Sequence, residues 1–167
     1  NMKTNRSLHE ALRAFDVVLR LVRSRPELEL ARTAADVERI HRAGRIASLI
    51  GVEGGHMIEG SLAALRIFHE LGARYLTLTH WDNVEWADAA TDRTEQDGLA
   101  EFGESVIREM NRLGIFVDLS HVSADSMRDA LRVSRAPVIF SHSNARALAS
   151  HPRNVPDDIL RLLPANG

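Results

Sequence analysis

"IFVDLSHVSADSMRDALRVSRAPVIFSH", residues 115–142, sets an apolar run on either side of a helical pattern and ends both runs on Ser-His, at Ser120-His121 and Ser141-His142. Ser123 is placed to cap a helix carrying Met127, Ala130 and Leu131, and Pro137 opens the second run. A strand, a helix and a second strand form a right-handed βαβ unit with parallel strands. The two histidines, 21 residues apart, then stand at the same end of one sheet.

The same rhythm continues upstream. "IASLIGVEGG" (46–55) and "RYLTLTH" (74–80) are short apolar runs with the character of buried parallel strands. Between them Leu62, Leu65, Phe68 and Leu71 mark a helix stopped by Gly72. After a polar loop of about 18 residues, Leu99, Phe102, Val106, Met110 and Leu113 mark another, stopped at Gly114. Leu8, Leu12, Phe15, Leu19 and Val22 predict an amphipathic helix, and Thr33 with Asp36 caps a second one bearing Val37 and Ile40. "NVPDDILRLLPANG" places Pro156 and two aspartates in the first turn of a short helix. The expected fold is therefore α/β. It has a helical lead-in over 1–44 and four parallel βα units over 45–167, with strands near 46–52, 75–79, 115–120 and 137–141.

Composition bounds what such a domain can do. The 167 residues are 44% hydrophobic and 26% charged, enough for one globular domain with a real core. With 21 basic and 23 acidic residues there is no broad field to recruit nucleic acid or an anionic membrane, and no run is long enough to span a bilayer. The absence of cysteine restricts any metal site to histidine and carboxylate ligands.

Glu53, His80, His121 and His142 each follow the last apolar residue of a predicted strand. Parallel α/β folds place their ligands at that carboxyl end. Two imidazoles and a carboxylate make a familiar catalytic zinc set, and a carboxylate can also bridge a second ion. "GVEGGH" lacks the P-loop lysine, so Gly54 and Gly55 are read as allowing a tight backbone turn, with His56 a loop or supporting group. His9, His41 and His69 fall in helical patterns and are expected at the surface. Asp118 is a structural residue or orients a ligand. Ser120 and Ser141 are read as hydrogen-bonding groups that fix ligand geometry.

"IASLIGVEGGHMIEGSLAALRIFHELGARYLTLTH", "WADAATD", "GLAEFGESVIREMNRLGIFVDLSHVS" and "PVIFSHSNARALASHPRNVPDDIL" together resemble the renal or membrane dipeptidase family, peptidase family M19, in a bacterial version. The resemblance runs from about Leu28 onward. It implies a (β/α)8 TIM-type barrel with a binuclear zinc site that hydrolyses dipeptides, including those with a D-residue at the carboxyl end. Glu53 would bridge the ions, and His121 and His142 would hold one of them. His80 would contact substrate at the scissile carbonyl and stabilise the transition state, and Arg153 would hold the substrate carboxylate.

The resemblance also implies parts expected to be missing from these residues: a first-strand His-x-Asp for the other zinc and a later proton-shuttling aspartate. The chain is thus expected to be the central part of a barrel, with one complete ligand set. A homodimer and either the bacterial cytoplasm or periplasm are compatible with the family. Two other functions remain open: a non-catalytic barrel remnant that binds peptide, and another amidohydrolase-type activity. Arg153 discriminates against the latter, because a carboxylate anchor has little use for a neutral ring substrate.

Overall fold

A computed structural model describes residues 7–167. The elements in chain order are α1 (Ser7–Ser24), β1 (Leu28–Leu30), α2 (Ala34–Arg42), β2 (Ile46–Ser48), β3 (Ile50–Glu53), a 3-10 turn (Gly55–Ile58), α3 (Leu62–Leu71), β4 (Ala73–Thr77), α4 (Glu101–Leu113), β5 (Phe116–Asp118), α5 (Ala124–Val133), α6 (Asp157–Leu160) and α7 (Leu163–Asn166). The fold is α/β with parallel strands: β1 pairs with β2, and β3, β4 and β5 form a sheet in that order.

Local chemistry sets the helix ends. Thr33 Oγ1 accepts from the Asp36 backbone N–H while Asp36 accepts from that of Thr33, closing a capping box on α2. Ser61 and Ser123 cap α3 and α5 in the same sense. Gly72 and Gly114 end α3 and α4 in the left-handed conformation. Pro156 is the N-cap of α6 rather than part of its first turn, which holds Asp157 and Asp158.

Two predicted segments differ from expectation. The stretch read as a helical lead-in contains β1, which pairs in parallel with β2, Leu28 opposite Ile46. The apolar run 46–52 therefore divides at Leu49: its first half pairs with β1 and its second with β4. The segment 137–141 lies beside β5 through a single bridge, Asp118 to Ile139, instead of forming a strand. Pro137 has no N–H to give. Ile139 N–H donates to the Val117 carbonyl and the Ile139 carbonyl accepts from Leu119 N–H, but the next N–H on that side, that of Ser141, goes to the Asp118 side chain, and the ladder stops there.

One face of the three-stranded sheet is packed. Ile50, Val52, Leu76 and Val117 are buried in a core with Leu65, Phe68, Val106, Ile107 and Met110, and Phe15 of α1 stacks on Phe68 at 5.1 Å. The opposite face carries two cross-strand rows, Gly51–Tyr75–Phe116 and Glu53–Thr77–Asp118. On it Glu53 is exposed and Phe116 is 48% exposed. The second row ends at the carboxyl edge of the sheet and supplies the floor of the site described next.

Candidate metal centre

Glu53 is the last residue of β3, and the chain turns away from it at once. Gly54 has φ 105°, a conformation open to glycine. Gly55 is pressed against neighbouring backbone: a Cβ there would stand 2.4 Å from the Leu78 carbonyl oxygen and 2.4 Å from the Trp86 ring. His121 follows β5 with φ 68°, a left-handed conformation uncommon outside glycine, and its carbonyl accepts from Ala90 N–H at 2.8 Å.

These turns bring three side chains to one point. Glu53 Oε1 lies 3.1 Å from His121 Nε2 and 3.2 Å from His142 Nε2, and the two Nε2 atoms are 2.9 Å apart. His80 Nε2 stands slightly farther out, 3.8 Å from Glu53 Oε1, with its ring 4.5 Å from that of His121. Arg153 Nη2 is 2.9 Å from His121 Nε2. All five predicted site residues therefore occupy one cluster.

A guanidinium only donates, so the lone pair of His121 stands on Nε2, where Arg153 takes it in this structure and a metal ion would take it in place of Arg153. A carboxylate oxygen and imidazole nitrogens converging within 4.8 Å are the donor set of a divalent cation, and Glu53, His121 and His142 fit that description. The environment keeps His121 neutral. Burial first, then the charges of Arg153 and His80, lower its pKa to about 4 against the opposing pull of Glu53. A neutral imidazole is the form that ligates.

The supporting contacts concentrate on Asp118, which is fully buried. Its Oδ1 accepts from the backbone N–H groups of Ser120 and Ser141, at 3.1 and 3.0 Å. Its Oδ2 accepts from the hydroxyls of Thr77 and Ser141, each at 2.6 Å. Ser141 Oγ is 2.7 Å from His142 Nδ1, and Ser120 Oγ accepts from the His142 backbone N–H at 3.0 Å.

The polar loop after β4 is an ordered wall of the site. Buried Asp88 accepts from the backbone N–H groups of Glu95, Gln96 and Gly98. Trp81, on the same loop, has its ring beneath the Arg153 guanidinium, 5.1 Å from centroid to Cζ, and meets His121 edge-on at 5.2 Å. Sequence reasoning missed Trp81. Its signal was an aromatic residue immediately after His80 in an otherwise polar stretch. His56 lies close enough to His80 for that ring, after burial, to lower its pKa, so it is a neighbour of the cluster. His69 is half-buried in α3 rather than fully at the surface.

The string His-x-Asp, expected to be missing, does occur once, as His80-Trp81-Asp82. It follows β4 instead of a first strand. Asp82 stands apart from the converging ligand atoms identified among the described residues.

A sheet that ends in a histidine–carboxylate cluster of this kind could hold a metal ion, and comparison with known proteins narrows what the chain is similar to. The chain matches the family described as Membrane dipeptidase (Peptidase family M19) across residues 1–167, and it belongs to that family. It is 50% identical over 162 residues to Dipeptidase 3 of Macaca fascicularis, covering 94% of this chain and 33% of that protein. Dipeptidase verJ of Clonostachys rogersoniana is 46% identical over 163 residues, covering 96% of this chain and 42% of that one.

Among solved structures, an amidohydrolase from Pseudomonas aeruginosa superposes with a TM-score of 0.89 at 26% identity, over 95% of this chain and 49% of that one. A metallo-peptidase from Rhodobacter sphaeroides, liganded with a phosphinate mimic of the dipeptide L-Ala-D-Ala, gives a TM-score of 0.83 at 30% identity, over 92% and 45% of the two chains. The chain spans about a third to two fifths of the length of these curated relatives. Among the described residues no helix is long and apolar enough to cross a membrane.

Proposed function

We propose that this chain is the metal-binding central part of a (β/α)8 barrel dipeptidase, forming a single domain with the rest of the protein. The barrel reading is supported by the sheet's second face. Parallel sheets are covered on both sides, yet on the second face of this one Phe116 is 48% exposed and Glu53 is exposed. In a closed barrel these side chains would fill the interior.

The observation that carries the function is the convergence of Glu53 Oε1, His121 Nε2 and His142 Nε2 within hydrogen-bond distance of one another. Zinc is the metal this donor set suits, and Glu53, having a second carboxylate oxygen, would bridge to a second ion. When bound, the metal supplies Lewis-acid polarisation of the peptide carbonyl and the acidity that makes water a nucleophile at neutral pH.

The chain's own groups do the rest. Arg153 anchors the substrate carboxylate by its planar fork, which sets the distance from the carboxyl end to the scissile bond. His80, beside Glu53 but outside the converging trio, donates to the oxygen that gains charge in the transition state. Trp81 supports the Arg153 guanidinium on its ring face. A D-residue at the carboxyl end of the substrate is the finer reading, supported by the ligand of the Rhodobacter sphaeroides relative. The test is hydrolysis of a panel of L,L- and L,D-dipeptides by the full-length protein, with and without a chelator. Metal-dependent turnover that requires a free substrate carboxylate is expected. Equal turnover of carboxyl-amidated dipeptides would contradict the Arg153 anchor.

A further inference from the structure

We infer that Asp118 and Ser141 are positioning residues that set the tautomer of His142, leaving its Nε2 lone pair free for the metal; this rests on the metal reading above. As a carboxylate, Asp118 can only accept. Its Oδ2 faces two hydroxyls at 2.6 Å, those of Thr77 and Ser141, so the single hydroxyl proton of Ser141 points to Asp118. Ser141 Oγ then has only lone pairs left for His142 Nδ1 at 2.7 Å, and the hydrogen bond between them requires the proton to sit on Nδ1. Nε2, across the ring, is bare and aimed at Glu53 Oε1 and His121 Nε2.

The arrangement is lopsided. Ser120, from the first Ser-His pair, holds the backbone N–H of His142, and Ser141, from the second, holds its ring. Both serines therefore serve the second histidine. His121 Nδ1 has no hydrogen-bond partner among the described residues, and its ring is oriented by its left-handed backbone and by packing against His80 and Trp81. The two ligands differ at Nδ1: that of His142 is held by Ser141, and that of His121 has no hydrogen-bond partner among the described residues.

Removing an outer partner of a ligating histidine typically costs 10- to 100-fold in metal affinity. In the full-length zinc-loaded protein, Ser141→Ala should weaken zinc binding by about that factor, measured by chelator competition. It should also abolish the protected His142 Nδ1–H resonance in a histidine-labelled ¹H–¹⁵N spectrum. Ser141→Thr, which keeps the hydroxyl, should recover both. Ser141 is exposed, so its truncation leaves the core intact, whereas buried Asp118 is the riskier variant. Wild-type affinity with an unchanged resonance in Ser141→Ala would overturn the inference, as would a loss of affinity that Ser141→Thr does not recover. His142→Ala separates the two levels. If that variant loses zinc while Ser141→Ala does not, the relay fails and the metal reading stands; if it keeps wild-type affinity, the metal reading itself fails.

Discussion

Arg153 lies over the face of Trp81, its Cζ 5.1 Å from the ring centroid, and from that platform its Nη2 reaches His121. Trp81 is 50% exposed, so half of the ring remains open beside the guanidinium. A cation held on an aromatic face gains roughly 0.5–2 kcal/mol. Trp81→Ala should therefore raise KM about two- to thirtyfold for dipeptides with a free carboxylate, with kcat within about twofold of wild type. Steady-state kinetics on the full-length protein checks this, and a fall in kcat with KM unchanged would place Trp81 in the chemical step instead.

The turn after Glu53 depends on close approach of backbone as much as on glycine's freedom. A Cβ on Gly55 meets the Leu78 carbonyl oxygen, which is held in place by accepting from Gly55 N–H itself. Gly55→Ala should cost about 1–3 kcal/mol of stability, the usual penalty for forcing atoms into a packed interior. Denaturant unfolding measures it, and an unchanged midpoint would mean that the turn relaxes more easily than its packing implies.

Glu109 ties α4 to α3. It accepts from Arg112 Nε at 2.7 Å and from Arg66 Nε at 2.5 Å while its side chain is only 11% exposed. The Arg112 guanidinium first, and Arg66 with it, hold its carboxyl down to about 2 against the upward push of burial. Since the folded pKa lies below the unfolded one, the stabilisation is present above about pH 4.5 and is lost as pH falls toward 2. Both arginines are half exposed or more, so solvent screening limits the pair to about 1 kcal/mol. Glu109→Gln should be less stable than wild type by that amount at pH 7, with the difference vanishing near pH 2. A gap that persists at pH 2 would contradict the assignment.

Much of this was legible in the sequence because the relevant signals are local. Thr33 with Asp36, Ser123, Gly72 and Gly114 fix helix ends through their own backbone neighbours, and all four lie where the pattern places them. Glu53, His80, His121 and His142 were legible because each follows an apolar run and parallel strands share one carboxyl edge, whereas Arg153 was expected only from the family resemblance. β1 was not. Leu28–Leu30 is three residues long, too short for any periodicity, and pairing with β2 is what makes it a strand. The partial strand at 137–141 looked complete because it is an apolar run opened by proline, whereas only Ile139 bonds to β5 and the Ser141 N–H goes to the Asp118 side chain. The service of Ser120 to His142, and of Trp81 to Arg153, depends on cross-strand and loop contacts that residue spacing alone does not encode.

The central claim is that Glu53, His121 and His142 hold a catalytic metal ion, and metal content tests it most directly. Elemental analysis of the full-length protein and of its His121→Ala/His142→Ala variant should show the variant lower by one ion per chain. Dipeptide hydrolysis should be lost and circular dichroism unchanged. A variant that folds and retains the full metal complement would contradict the account.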